Sequence, residues 1–176
     1  MKKYIILLIV LVTLSNRFYA QVNVNLLEEN IFATELLFNE KCIEDIDATN
    51  GDQLKMEEIF GNTLTRSEQI TETGTQVVYI GSGIKFIFKK NEDTSSILSL
   101  RAIEVSNSSP VVKLQNKLIS VGNSVNILAS AQKSKYQSKN YILYKVDSYV
   151  DMALIVNYNA STSTIVSINY SNQLDY

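Results

Sequence analysis

A ten-residue pattern that occurs twice constrains this chain more than any other feature. Asn91 to Leu100 can be laid on Asn159 to Ile168, with Asn, Thr, Ser, Ile and Ser matching and Leu100 facing Ile168. The offset of 68 residues carries upstream without a gap, setting Phe86-Ile87-Phe88 on Leu154-Ile155-Val156 and Ile59-Phe60 on Ile127-Leu128. A fixed separation of this kind is the signature of a repeated supersecondary unit. The reading is two copies of one small α+β unit, over residues 31–106 and 107–170.

The periodicity gives each unit the same plan. In the first, Ile31 to Asn39 alternates at period two, which predicts a strand, although Leu26 to Leu37 can also be written as a helix. Asn39-Glu40 reads as a turn, and Lys41 to Ile46 as the partner strand. Asn50-Gly51 is a turn signal, Asp52 an N-cap, Gln53 to Phe60 a short helix and Gly61 its end. Strands are predicted over 71–80, 84–89 and 97–105, with Gly81-Ser82-Gly83 as a turn. Asn107-Ser108-Ser109-Pro110, holding the only Pro, divides the copies.

In the second unit, 111–114 and 117–120 flank a turn at Gln115-Asn116. Asn123 to Gln132 reads as a helix, Ala131 to Lys139 as a polar loop, and 140–146, 149–158 and 164–170 as strands. Residues 21–30 form a lead-in and 171–176 a tail. The fold class is therefore α+β, two copies of a hairpin, short helix and three-stranded antiparallel meander. Helices are expected on one face of the sheet.

The N-terminus carries a separate message. Lys2-Lys3, the apolar run Tyr4 to Leu14 and a polar stretch ending at Ala20 have the order of a secretory signal peptide, with cleavage expected between Ala20 and Gln21. The apolar run is too short for a membrane of about 30 Å, so no span is expected after its removal. The expected compartment is the periplasm or the outside of the cell. Removing Lys2, Lys3 and Arg17 leaves 13 basic against 18 acidic residues, a net charge of −5 with no basic run. Nucleic acid is thus not the expected partner. Cys42 is the single cysteine, so no intramolecular disulfide can form, and it reads as a small buried hydrophobe.

Two missing residue types narrow the chemistry. The chain has no His, which removes Ser-His-Asp and Cys-His nucleophilic sites and nearly all zinc sites with a His ligand. It has no Trp, the commonest stacking platform for sugars. Asp45-x-Asp47-x-Thr49 starts like a Ca²⁺ loop, but Asn50 stands where Gly is needed and Met56 where a bidentate Glu belongs. Gly81-Ser82-Gly83 lies between two strands, which makes it a hairpin turn and no phosphate cradle. Glu104, Asp147 and Asp151 are the carboxylates left for a hydrolase, with nothing in the spacing to bring two together. No catalytic, cofactor-binding or metal site is assigned, and no cofactor is expected.

Tyrosine placement points toward binding. Of ten Tyr, seven lie from Tyr136 onward. Tyr offers a large contact area with few rotors to freeze. Tyr141, Tyr144, Tyr149 and Tyr158 are the candidate partner-binding residues. Strand propensity is the competing explanation for the same residues.

A short helix ending at Ile59-Phe60-Gly61, then a meander, done twice, resembles the tandem α+β repeats of β-lactamase-inhibitor-like proteins. Single copies resemble envelope assembly lipoproteins of the SmpA/OmlA type, although Asn62 stands where Pro usually follows the helix-ending Gly and the lipobox Cys is missing. The signal ending Phe18-Tyr19-Ala20-Gln21 resembles those of small exported Bacteroidota proteins. The resemblance implies a fold and a genre and carries over no site residue. The first expectation is a non-catalytic exported module that binds another, unidentified protein through its sheet face or loops, its oligomeric state left open. The alternatives are an envelope structural or assembly factor and, third, a hydrolase using carboxylates or Tyr.

Overall fold

A computed structural model of the chain describes residues 22–61, 63–71, 74–90, 97–146 and 149–172, with the side chains of Thr71, Tyr149 and Val150 outside the description. The segment expected to be a signal peptide, Asn91 to Ser96 and Asp147 lie outside the described residues. The fold is mostly sheet. Among the described residues thirteen strands run from β1 (Val24–Leu27) through β2 (Leu37–Phe38), β3 (Lys41–Cys42), β4 (Thr65–Thr71), β5 (Gly74–Gly81), β6 (Ile84–Lys90) and β7 (Leu98–Val105). They continue with β8 (Val112–Leu114), β9 (Lys117–Ile119), β10 (Ser134–Tyr136), β11 (Lys139–Val146), β12 (Tyr149–Asn159) and β13 (Thr164–Ser171). Two α-helices, α1 (Ile43–Asp47) and α2 (Gln53–Phe60), lie between β3 and β4.

Nine strands make one sheet, in the order β1-β11-β12-β13-β7-β6-β5-β4, with β10 sharing the outer edge of β11 with β1. All its pairings are antiparallel except β1 on β11. The remaining four strands form a small sheet, β3-β2-β8-β9. One hydrophobic cluster holds α2 through Met56, the small sheet through Phe38, Val112, Leu114 and Ile119, and the inward side of the large sheet. Alternation decides which side that is. Phe86 and Phe88 on β6, Leu154 and Val156 on β12, and Ile168 and Tyr170 on β13 are buried, while the residues between them face the other way.

Both halves run hairpin, helical segment and four antiparallel strands, β4 to β7 in the first and β10 to β13 in the second. The last strands of the two runs, β7 and β13, pair at the middle of the sheet. Cross-strand register refines the offset. Phe88 and Leu100 pair as Val156 and Ile168 do, at a separation of 68, but their next neighbours Val77 and Ile142 are 65 apart. The offset of 68 thus matches pairing only locally, since Ile87 faces Ala102 whereas Ile155 faces Asn169, and the two-copy unit stays an expectation.

Several local expectations are corrected. Ile31–Glu35 is a π-helical turn, held by Leu36 N–H donating to the Ile31 carbonyl, and only Leu37–Phe38 is extended. Its alternating Phe32, Leu36 and Phe38 are buried from a turn and a strand together. The expected strand 41–46 becomes helix at Ile43, because Cys42 Sγ accepts from Asp45 N–H as an N-cap. The helix expected over 123–132 is one 3₁₀ turn, Val125–Leu128. The loop expected over 131–139 contains β10, and the lead-in contains β1. β4 was absent from the expected meander, since Thr65-Arg66-Ser67-Glu68-Gln69 has no apolar alternation. Ser171 and Asn172 belong to the sheet rather than a tail: Asn172 N–H donates to the Arg101 carbonyl.

The turns and the N-cap hold. Asp52 Oδ1 accepts from Lys55 N–H at 3.1 Å and starts α2. Asn39-Glu40, Ser82-Gly83 and Gln115-Asn116 each place both central residues at positive φ, the type I′ geometry that matches strand twist. Gly81 is needed for close approach, because a Cβ there would stand 2.3 Å from the Thr63 carbonyl oxygen. No described helix is long and apolar enough to cross a membrane.

Candidate interaction face

The side of the large sheet turned away from the helices carries the candidate surface. Register places its residues in rows that cross eight strands. One row runs Val24, Leu143, Ile155, Asn169, Glu104, Lys85, Ile80 and Thr65. The next runs Leu26, Lys145, Ala153, Ser171, Ala102, Ile87, Val78 and Ser67. No described helix or strand layer shares this side with them in the hydrophobic cluster.

The first row is polar at its centre, where Asn169, Glu104 and Lys85 lie between Ile155 and Ile80, whereas the second is mainly apolar, and Leu143, Ala153 and Val78 in these rows are buried among their neighbours. Leu26 is 59% exposed and Ile80 51% exposed, toward opposite ends of the sheet. In the centre Lys85 Nζ meets Glu104 Oε2 at 3.2 Å. Asn157 Nδ2 donates to Ser167 Oγ at 2.9 Å, and Asn169 Nδ2 donates to the same oxygen at 3.3 Å. Beside them a hollow of about 390 Å³ is lined by Ser138, Lys139, Asn140, Asn157, Tyr158, Val166 and Ser167. Fixed amides and a charge pair flanked by exposed aliphatic groups resemble the polar and apolar mixture of protein-recognition surfaces.

The four candidate tyrosines do not gather into one patch. Tyr141 stands on this face, directly opposite Asn157. Tyr144 points the other way, into the core, and burial pushes its phenol up to about 12. Tyr158 packs partly against the core, with Lys133 Nζ 5.6 Å from its ring centroid. The side chain of Tyr149 is outside the described residues. Tyr144 therefore offers no contact area, and its place in the set is corrected by strand alternation. What the sequence reading missed is the row itself. Asn157, Ser167, Asn169 and Glu104 come from three strands, and only their registers put them side by side.

The acidic stretch near Asn50-Gly51 has structural tasks. Asp47 Oδ1 accepts from Leu100 N–H at 2.6 Å, tying α1 to β7. Thr49 is buried, and its hydroxyl donates to the Ile46 carbonyl. Among the described residues no three His, Cys, Asp or Glu side chains are grouped to hold a metal ion. Glu104 on β7 and Asp151 on β12 are kept apart by β13, and Glu104 is engaged by Lys85. Cys42 is half-buried, and burial with the Asp45 contact raises its thiol. No protein-family model, curated protein or solved structure matches the chain.

Proposed function

We propose that this is an exported, non-catalytic module that binds another protein through the open face of its nine-stranded sheet. The observation that carries the reading is the central polar group Asn169, Glu104 and Lys85, flanked by Ile155 and Ile80, on a side of the sheet that has no described layer of the hydrophobic cluster packed on it. Backbone pairing fixes these side chains, so binding would cost little ordering. A broad face with a central charge pair and exposed Leu26 and Ile80 toward its ends fits a protein partner better than a small molecule, for which a deep apolar pocket is the usual site. Export rests on the order of charge and hydropathy in residues 1–20.

The inward side of the same sheet favours descent from a duplicated unit. Tyr144, Leu154 and Tyr170 continue into Ile103, Phe86 and Tyr79 along one inward row, as if mirrored about the junction of β13 and β7. Val77-Val78-Tyr79 and Ile142-Leu143-Tyr144 occupy equivalent strands. Affinity capture with residues 21–176 from the soluble and membrane fractions of the source cells tests the binding reading. A stoichiometric protein partner is expected. Recovery only within a membrane-associated complex would favour an envelope assembly factor, and no partner in either fraction would count against both.

A further inference from the structure

We propose that β4 is a self-association edge, through which two copies of this chain pair antiparallel about Ser67. β4 ends the large sheet, seven residues long, and Thr65 through Ile70 are all exposed. A free edge presents unpaired N–H and C=O groups that another strand can take up. Natural edges are commonly protected by charge of one sign, which repels a second copy. Here the two charges have opposite sign and sit two residues apart on one face, Arg66 and Glu68, with their side chains 3.1 Å apart.

That spacing is self-complementary in one register. With Ser67 opposite Ser67, Arg66 of each copy faces Glu68 of the other, Thr65 faces Gln69, and Ile70 faces Leu64. Ile70 is 91% exposed in the single chain, so the pairing gives an otherwise solvated aliphatic side chain an apolar neighbour. Slipping by two residues in either direction sets Arg66 against Arg66 or Glu68 against Glu68, which is repulsive. Slipping by one sets core-side residues against open-face residues and puts the two helix layers on opposite sides. Charge therefore selects both the occupant and the register.

The opposite end of the sheet offers no such match. There β1 and β10 share one edge, and Asn23 N–H donates to Ser134 Oγ to close the gap between them. A closed two-fold dimer through β4 leaves the binding face of each copy in one continuous sheet. The area of a single edge pairing lies below the roughly 1,200 Å² of a standard stable interface, so association should depend on concentration.

Sedimentation equilibrium of residues 21–176, which hold every described element, tests this across a dilution series. The wild-type mass should rise from monomer to dimer and stop there. Arg66→Glu and Glu68→Arg, each confirmed folded by circular dichroism, should stay monomeric at the concentration where wild type is dimeric. An equimolar mixture of the two variants should dimerise again, because each mismatched charge then meets its opposite. Ser67→Cys in a Cys42→Ser background should form an oxidised, disulfide-linked dimer, whereas Gln69→Cys should not. A wild-type chain that is monomeric throughout, a dimer indifferent to both charge variants, or growth past two copies would each overturn the proposal. The open-face binding reading stands or falls separately, since the charge variants change Arg66 and Glu68, which stand opposite Tyr79 and Val77 on the core side of the sheet.

Discussion

Tyr170 on β13 stands directly opposite Ile103 on β7, and both side chains are buried where the two runs of strands meet. Tyr170 also lies 6.0 Å, ring centroid to centroid, from Phe32 of the π-helical turn. One aromatic side chain thus touches the first half, the second half and the layer beneath them. Tyr170→Ala should cost about 3–5 kcal/mol, the usual loss for truncating a buried aromatic residue. Urea unfolding should stay a single transition at a lower midpoint. A loss under about 1 kcal/mol, far below the usual range, would show that the junction does not hold the sheet together.

Tyr79 gives a narrower test. Its hydroxyl donates to the Gly51 carbonyl at 2.9 Å, joining β5 to the turn that precedes α2. Tyr79→Phe keeps the ring and leaves that buried carbonyl without this donor, and should cost about 1–2 kcal/mol in thermal or urea unfolding. Gly51→Ala should cost at least as much. Gly51 has φ +63, and a Cβ there would meet the Phe88 ring at 3.1 Å.

Asp47 makes the corresponding bond between α1 and β7. Replacing it by Ala removes the acceptor for Leu100 N–H and should cost about 1.5–3 kcal/mol, as for a bond to a charged group. Asp47→Asn retains an oxygen and should lose less. Equal losses for Ala and Asn, measured by urea unfolding, would contradict the assigned role.

Much of this scaffold was legible in the sequence because its signals are local. The turns at Asn39-Glu40, Ser82-Gly83 and Gln115-Asn116, the Asp52 cap and strands β5 to β7 and β11 to β13 each follow from a few neighbouring residues. β4 was not legible, since an exposed edge strand needs no apolar alternation and shows none. β1 was missed for a related reason: its partner β11 lies more than a hundred residues away in the sequence. The candidate face failed at Tyr144 because strand phase, not residue type, decides which side a side chain takes. The same phase leaves Tyr141 on the open side of the sheet, opposite Asn157.

Alkaline pH should reveal the buried tyrosines. Burial raises the phenols of Tyr144 and Tyr170, and also of Tyr79, above the ordinary value of 10.0, Tyr144 to about 12. A folded-state value above the unfolded one means that the neutral form is favoured by folding. The stability from Tyr144 is fully present below pH 10 and declines as the pH rises toward 12, and the raised phenols of Tyr170 and Tyr79 act in the same direction. Tyrosinate absorbance should therefore rise in two stages, exposed phenols first and the buried ones with loss of secondary structure. Ionisation of all tyrosines in one early stage, with the fold intact, would contradict the assigned burial.

The most direct measurement is a paired capture from source-cell fractions, using wild-type residues 21–176 beside an open-face variant and an inward-neutral control. The variant combines Tyr141→Ala with Glu104→Lys, which alter the face without touching the buried row. The control is Leu54→Ala, since Leu54 is 75% exposed and lies on α2, on the other side of the sheet. One protein should be held by wild type and by the control and lost from the folded open-face variant. A partner retained equally by all three would place binding elsewhere, and capture of nothing by wild type would contradict the binding function itself.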